Sequence, residues 1–81
     1  MLEIGKVYFS SIDMEVYLYS IEANGKGVFA KSVVRLGGTP ILILDYKLVL
    51  NNDFFKILIG DEIGWFAPGA GEFAINLTKI I

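Results

Sequence analysis

Paired carboxylates are the residues of this chain whose types and spacing could perform acid–base chemistry. They occur at three places, namely Asp61-Glu62, Asp13 with Glu15, and Asp45 with Asp53. The chain contains no histidine and no cysteine, so the commonest general base, the usual activator of a nucleophile and the thiolate are all absent. Solvated surface carboxylates explain all three pairs, and we predict no catalytic residue and no enzyme activity.

Metal and phosphate sites find little support in the sequence. A metal would have to be held by oxygen atoms alone, and no acidic segment has the spacing of a calcium loop. The glycine pairs of Gly25-Lys26-Gly27 and Gly69-Ala70-Gly71 do not lie between a strand and a helix, which is the context that a phosphate loop requires. We interpret both segments as turns and predict no metal and no cofactor.

The elements that would position any site are short β-strands. Runs rich in β-branched and aromatic residues are separated by Gly, Pro, Asn, Asp and Ser. The predicted strands are Gly5–Phe9, Glu15–Ile21, Gly27–Val34, Ile41–Leu50, Phe54–Gly60, Ile63–Phe66 and Phe73–Leu77. Asn24-Gly25 predicts a hairpin turn, and Asn51-Asn52-Asp53 predicts a polar turn. No stretch is left for a long helix.

Side-chain alternation assigns faces within two of these strands. In Glu15–Ile21, Tyr17 and Tyr19 share the face opposite Leu18, so the tyrosines are expected to point outward. In the run from Phe54, the residues Phe55, Ile57 and Ile59 form an apolar face that we expect in the core.

Composition limits the class of protein. The 81 residues suffice for one domain, 1–81, and 54% of them are hydrophobic, so some apolar surface is expected to remain for partners. No apolar run is long enough for a membrane helix, and Met1-Leu2-Glu3 opens no secretory leader, which predicts a cytoplasmic protein without a membrane partner. A net charge of −2 and a pI near 4.9 disfavour nucleic acid as a partner.

Three segments in the second half of the chain resemble the bacterial SH3-like (Src-homology-3-like) small β-barrel family. They are Ser32-Val-Val-Arg-Leu-Gly-Gly-Thr-Pro-Ile-Leu-Ile-Leu, Asn52-Asp-Phe-Phe-Lys-Ile-Leu-Ile-Gly and Gly64-Trp-Phe. The resemblance implies an all-β, small SH3-like barrel of five to seven short, mostly antiparallel strands. It also implies a binding module that is not an enzyme, with Trp65 at the border of a ligand groove. The family's Asn-Val-Arg-x-Gly-Pro segment is replaced here by Tyr17-Leu-Tyr-Ser-Ile-Glu.

The leading hypothesis is an adaptor that binds a protein or peptide partner through an aromatic surface. The residues expected to form this surface are Tyr17, Tyr19, Phe54 and Trp65. Tyrosine and tryptophan have a large apolar body and one polar atom, which suits half-exposed interface positions.

Two alternatives remain open. A structural homo-oligomer or assembly component could form through the strand-like tail Asn76–Ile81, and barrels of this kind also recur as small phage and virus proteins. Single-stranded nucleic acid could stack on the aromatic residues beside Lys31, Arg35, Lys47 and Lys56.

Overall fold

The described part of the chain forms β-strands. The computed structural model describes residues 2–69 and 77–80, and within these residues every hydrogen-bonded element is a strand or a turn. The strands are β1 (Val7–Ser10), β2 (Glu15–Ile21), β3 (Val28–Arg35), β4 (Ile41–Val49), β5 (Asn52–Ile59), β6 (Glu62–Phe66) and β7 (Leu77–Lys79). The all-β prediction is confirmed.

All seven described strands belong to one sheet, in the order β3-β2-β6-β5-β4-β1-β7. Every neighbouring pair is antiparallel, as predicted. An isolated parallel bridge joins Ser10, at the end of β1, to Gly37, just after β3. This bridge brings one end of the sheet back against a strand near its other end, so the sheet curls around a core. Membership of the SH3-like family stays a prediction.

The core lies on the concave face of the sheet. There, the inward-facing apolar residues of β5 pair with those of β4. Ile57 lies opposite Ile43, and Ile59 lies opposite Ile41. These four side chains and Phe55 are buried, which confirms the predicted inward face of β5. Full burial of one such side chain contributes roughly 1.5–3 kcal/mol, so these pairs are a main source of stability.

The hairpin predicted at Asn24-Gly25 is present between β2 and β3. Gly25 has a φ of +72°, while Asn24 is outside the positive-φ region. The Glu22 N–H donates to the Gly27 carbonyl oxygen at 2.9 Å and closes the loop. Because this bond joins Glu22 to Gly27, the loop spans residues 23–26 and is longer than a two-residue turn.

The turn between β4 and β5 differs from the sequence prediction. Val49 pairs with Asn52, so Leu50 and Asn51 alone make the turn, with φ values of 51° and 64°. Two consecutive positive φ angles are typical of a type I′ hairpin, whose twist matches that of the flanking strands. Asn52 and Asp53, predicted in the turn, instead begin β5.

The C-terminal strand is paired within the chain. Residues 73–76 of the predicted strand Phe73–Leu77 lie outside the described residues, and β7 covers Leu77–Lys79. Tyr8 pairs with Lys79, and Ser10 pairs with Leu77. One edge of this segment, proposed above for self-association, is therefore occupied by β1.

Replacing Leu50 by asparagine should stabilise the protein. A leucine at a φ of 51° has its Cβ close to the following carbonyl group, and its side chain is 69% exposed, so little packing is lost on substitution. Asparagine adopts this conformation at lower cost, and we expect the free energy of unfolding to rise by about 1 kcal/mol. The melting temperature should rise by roughly 4–8 °C.

Leu48→Asn is the matched control, since Leu48 is also exposed but lies within β4. It should leave the melting temperature unchanged or lower it. An equal rise in melting temperature from both substitutions would show that removing an exposed apolar side chain, and not relieving the turn conformation, is responsible.

Candidate functional site

Tyr17 and Tyr19 lie side by side on the outer face of β2. They alternate with Leu18, which is fully buried on the inner face. The two ring centroids are 6.2 Å apart with a 44° angle between the ring planes. Tyr17 is 56% exposed and Tyr19 is half-buried, so the predicted outward face of β2 is confirmed.

Trp65 joins this face from the neighbouring strand β6. Within the described residues, the ladder between β2 and β6 consists of one register pair, Tyr19 with Trp65. Directly opposed residues in an antiparallel pair project their side chains to the same face. On its other side Trp65 lies opposite Lys56 of β5, so the same face continues onto that strand.

Phe54 is the fourth predicted residue, and it lies beneath the surface. It precedes Lys56 by two residues in β5 and therefore shares the outer face. Its side chain is only 6% exposed, and its ring meets Tyr19 edge to face, with centroids 5.9 Å apart and planes at 89°. Phe54 thus packs against the ring of Tyr19 and offers little exposed area to a partner. We call the four residues Tyr17, Tyr19, Phe54 and Trp65 the aromatic strip.

Apolar residues and lysines surround the aromatic strip. Val33 lies opposite Tyr17 on β3, and Ile63 precedes Trp65 by two residues on β6; both are exposed. Lys47 lies opposite Phe54, and Lys56 opposite Trp65. Neither lysine forms an ion pair within residues 2–69 and 77–80.

An apolar cleft extends the same face toward β1, and sequence reasoning missed it. It has a volume of about 270 Å³ and is lined by Val7, Thr39, Pro40, Leu42, Leu58 and Gly60. Leu42 lies opposite Leu58, which lies opposite Ile63 beside the aromatic strip. Alternation in β4 and β5 could have placed Leu42 and Leu58 outside, but the alignment of the two strands was needed to make them neighbours.

Gly64 allows β2 and β6 to approach each other. A Cβ atom at this position would lie 2.8 Å from Cβ of Leu18, closer than carbon atoms can pack. Leu18 is fully buried and cannot move outward. The glycine before Trp65 is therefore needed for close contact between strands, and the Tyr19–Trp65 pair depends on it.

Side chains from β3 complete the contact between β2 and β6. The register shift between Leu18 and Tyr19 leaves Lys31 as the extra residue of a β-bulge. The Lys31 Nζ donates to the Ile63 carbonyl oxygen at 2.5 Å, and the Ser32 Oγ donates to Glu62 Oε2 at 3.3 Å. Both bonds connect the β2–β3 hairpin to β6.

Four of the six carboxylates considered for acid–base chemistry, Asp13, Asp45, Asp53 and Glu62, accept hydrogen bonds from other groups. Asp13 accepts a hydrogen bond from Arg35 at 2.9 Å, which holds the Asp13 pKa below its usual value. Asp53 accepts the Tyr46 hydroxyl at 2.6 Å, and this bond raises the pKa of Tyr46. Asp45 accepts the Tyr46 backbone N–H at 2.8 Å. No three acidic side chains among the described residues converge as a metal site would require.

Two other tyrosines of the chain contribute nothing to this surface. Tyr8 is buried, and its hydroxyl oxygen accepts a hydrogen bond from the Glu3 N–H at 2.9 Å. Tyr46 faces inward, with its ring 5.2 Å from that of Phe55. Only Tyr17 and Tyr19 therefore present tyrosine rings on the outer face.

In comparisons with known proteins, no protein-family model, curated protein or solved structure matches the chain. Across residues 2–69 and 77–80, no helix has the length and hydropathy needed to cross a bilayer.

Gly64→Ala should destabilise the protein and disturb the aromatic strip. The added methyl group overlaps Leu18, and overpacking of this kind typically costs about 1–3 kcal/mol. Trp65 is the only tryptophan, so its fluorescence reports directly on the contact between β2 and β6. We expect a lower melting temperature and a changed emission maximum.

Gly60→Ala is the control, because its added methyl group meets no atom and only the positive φ of 61° is strained. It should lower the melting temperature without changing Trp65 emission. An unchanged emission maximum in Gly64→Ala would contradict the contact with Leu18.

Asp13→Asn should flatten the acid dependence of stability. Because Arg35 lowers the folded-state pKa of Asp13, the stability this pair contributes is present above the unfolded-state pKa and is lost as the pH falls through the folded-state value. Melting temperatures from neutral to acidic pH should therefore fall less steeply in Asp13→Asn than in the unmodified chain. The exposed Asp61, changed to asparagine, serves as the control; an equal flattening there would contradict the assignment to the Asp13–Arg35 pair.

Proposed function

We propose that this protein is a non-catalytic binding module that docks a partner protein or peptide on its aromatic strip. The observation that supports this most is the placement of Tyr17, Tyr19 and Trp65 on one outer face. Tyrosine and tryptophan are enriched among the residues that contribute most to binding energy at protein interfaces. The proposal includes a cytoplasmic location, which the sequence predicts.

The rigidity of the aromatic strip favours binding. Tyr17, Tyr19 and Trp65 stand on paired strands, and Tyr19 rests edge to face on the buried Phe54. Binding to a surface that is already ordered loses less side-chain entropy than binding to a mobile loop. Ordering of these side chains would therefore reduce the free energy of binding less than it would on a mobile loop.

The surroundings favour a partner with apolar and acidic side chains. Val33 and Ile63 extend the apolar area on either side, and the cleft between Leu42 and Leu58 continues it. Lys47 and Lys56 stand beside the rings of Phe54 and Trp65 and can meet carboxylates of the partner. The acidic net charge of the chain favours a protein over nucleic acid as the partner.

The edge strand β3 supports a second candidate, a homo-oligomer or assembly component. β3 runs for eight residues and pairs along its length with β2 alone among the described strands. Such an edge can add a strand from another copy of the chain. The bulge at Lys31 interrupts the edge, and for this reason we rank self-association second.

Tyr17→Ala should weaken binding of the partner without unfolding the protein. A partner captured from extracts by the immobilised chain would be identified by mass spectrometry, purified and titrated calorimetrically. Loss of a main interface residue costs about 2 kcal/mol or more, so the affinity should fall more than tenfold. Trp65→Ala should have the same effect.

Phe29→Ala provides a matched control. Phe29 is 57% exposed, nearly the same fraction as Tyr17, but it pairs with Ser20 on the opposite face of the hairpin. Its loss should leave the affinity unchanged. Equal weakening by both variants would contradict the proposed surface. A concentration-dependent rise in mass by light scattering would favour the homo-oligomer, and salt-sensitive retention on an oligonucleotide would favour nucleic acid.

A further inference from the structure

The exposed loop between β2 and β3 contains a reactive pair that the proposed function does not use. Asn24 is followed by Gly25, and two backbone N–H groups are fixed around the asparagine. The Gly25 N–H donates to the Glu22 carbonyl oxygen at 2.8 Å, and the Lys26 N–H donates to Asn24 Oδ1 at 2.9 Å. The loop therefore holds a side-chain amide next to the backbone nitrogen that can attack it.

We propose that Asn24 is a site of spontaneous deamidation, with water as the only co-reactant. The Gly25 backbone nitrogen loses its proton and attacks Cγ of Asn24. A new bond forms between these atoms, the bond from Cγ to Nδ2 breaks, and ammonia leaves. Water then opens the resulting succinimide at either carbonyl carbon, which gives aspartate or isoaspartate at position 24. No oxidant or reductant takes part.

Asn24 is favoured over the other described asparagines by the residue that follows it. Gly25 has no side chain to obstruct the approach of its nitrogen to Cγ. Asn51 is followed by Asn52 within the tight turn, and Asn52 is followed by Asp53 in β5. The Asn52 Nδ2 also donates to the Leu50 carbonyl oxygen at 3.2 Å, which restrains that amide.

The two hydrogen bonds of the loop act in opposite directions on the reaction. The bond from Gly25 to Glu22 holds the attacking nitrogen and keeps its proton in place, so this bond must open first. The bond from Lys26 to Asn24 Oδ1 polarises the amide and lies where negative charge develops on the oxygen. The rate of deamidation in the folded protein is therefore set by local opening of the loop. This opening requires only a small fraction of the free energy of global unfolding.

The product changes both charge and chain length in the loop. Each conversion adds one negative charge to the net charge of −2, close to Glu22. Isoaspartate also inserts a methylene group into the backbone between β2 and β3. Both changes occur after the end of β2, the strand that contains Tyr17 and Tyr19. Deamidation of Asn24 is therefore independent of the aromatic strip.

The test is incubation of the purified full chain at mildly alkaline pH, followed by peptide mapping with mass spectrometry. We expect a gain of about one dalton, from exchange of NH₂ for OH, first in the peptide with Asn24, with both aspartate and isoaspartate present. Asn24→Gln should lose this gain, since its longer side chain disfavours ring closure. Denaturant should accelerate the reaction by opening the Glu22–Gly25 bond.

The assignment of the site would be overturned if modification began at Asn51 or Asn52. It would also be overturned if Asn24→Gln gained mass as fast as the unmodified chain. A rate in the folded protein equal to that in denaturant would overturn control by the loop hydrogen bonds.

Discussion

The contact between Leu18 and the backbone at Gly64 is the constraint on which the rest of the structure depends. It lies where β2 of the hairpin meets β6, and within the described residues one register pair, Tyr19 with Trp65, joins these two strands. Two strands can approach this closely only where one residue lacks a side chain. Leu18, the residue pressed against the glycine, is fully buried, so the same contact closes the core.

The aromatic strip lies on the other face of the sheet and is a consequence of this contact. Tyr17 and Tyr19 belong to the hairpin, whereas Trp65 belongs to β6 and Phe54 to β5. Because alternation is strict, the burial of Leu18 requires its two neighbours to point outward. The core and the candidate binding surface are therefore formed by the same strand pairing, and a change at Gly64 affects both.

Local patterns predicted the strands and the outward face of β2, because alternation of apolar and polar residues is visible within one strand. They could not predict that Phe54 is buried, since its ring packs against residues distant in sequence, Tyr19 among them. The predicted turn Asn51-Asn52-Asp53 includes Asn51 but not Leu50, because leucine rarely adopts a positive φ and short polar residues are the stronger turn signal. Pairing between distant strands decided both outcomes.

Lys31 connects the protection of the sheet edge to the contact between β2 and β6. As the extra residue of the bulge it interrupts the hydrogen-bonding edge of β3, where another chain could add a strand. Its Nζ turns toward β6 and donates to the Ile63 carbonyl oxygen, where the described ladder offers a single backbone pair. The extra residue of the bulge makes the edge of β3 a poor docking site, whereas the outer face beside it keeps exposed rings. The same lysine therefore disfavours association through β3 and stabilises the surface that we propose for the partner.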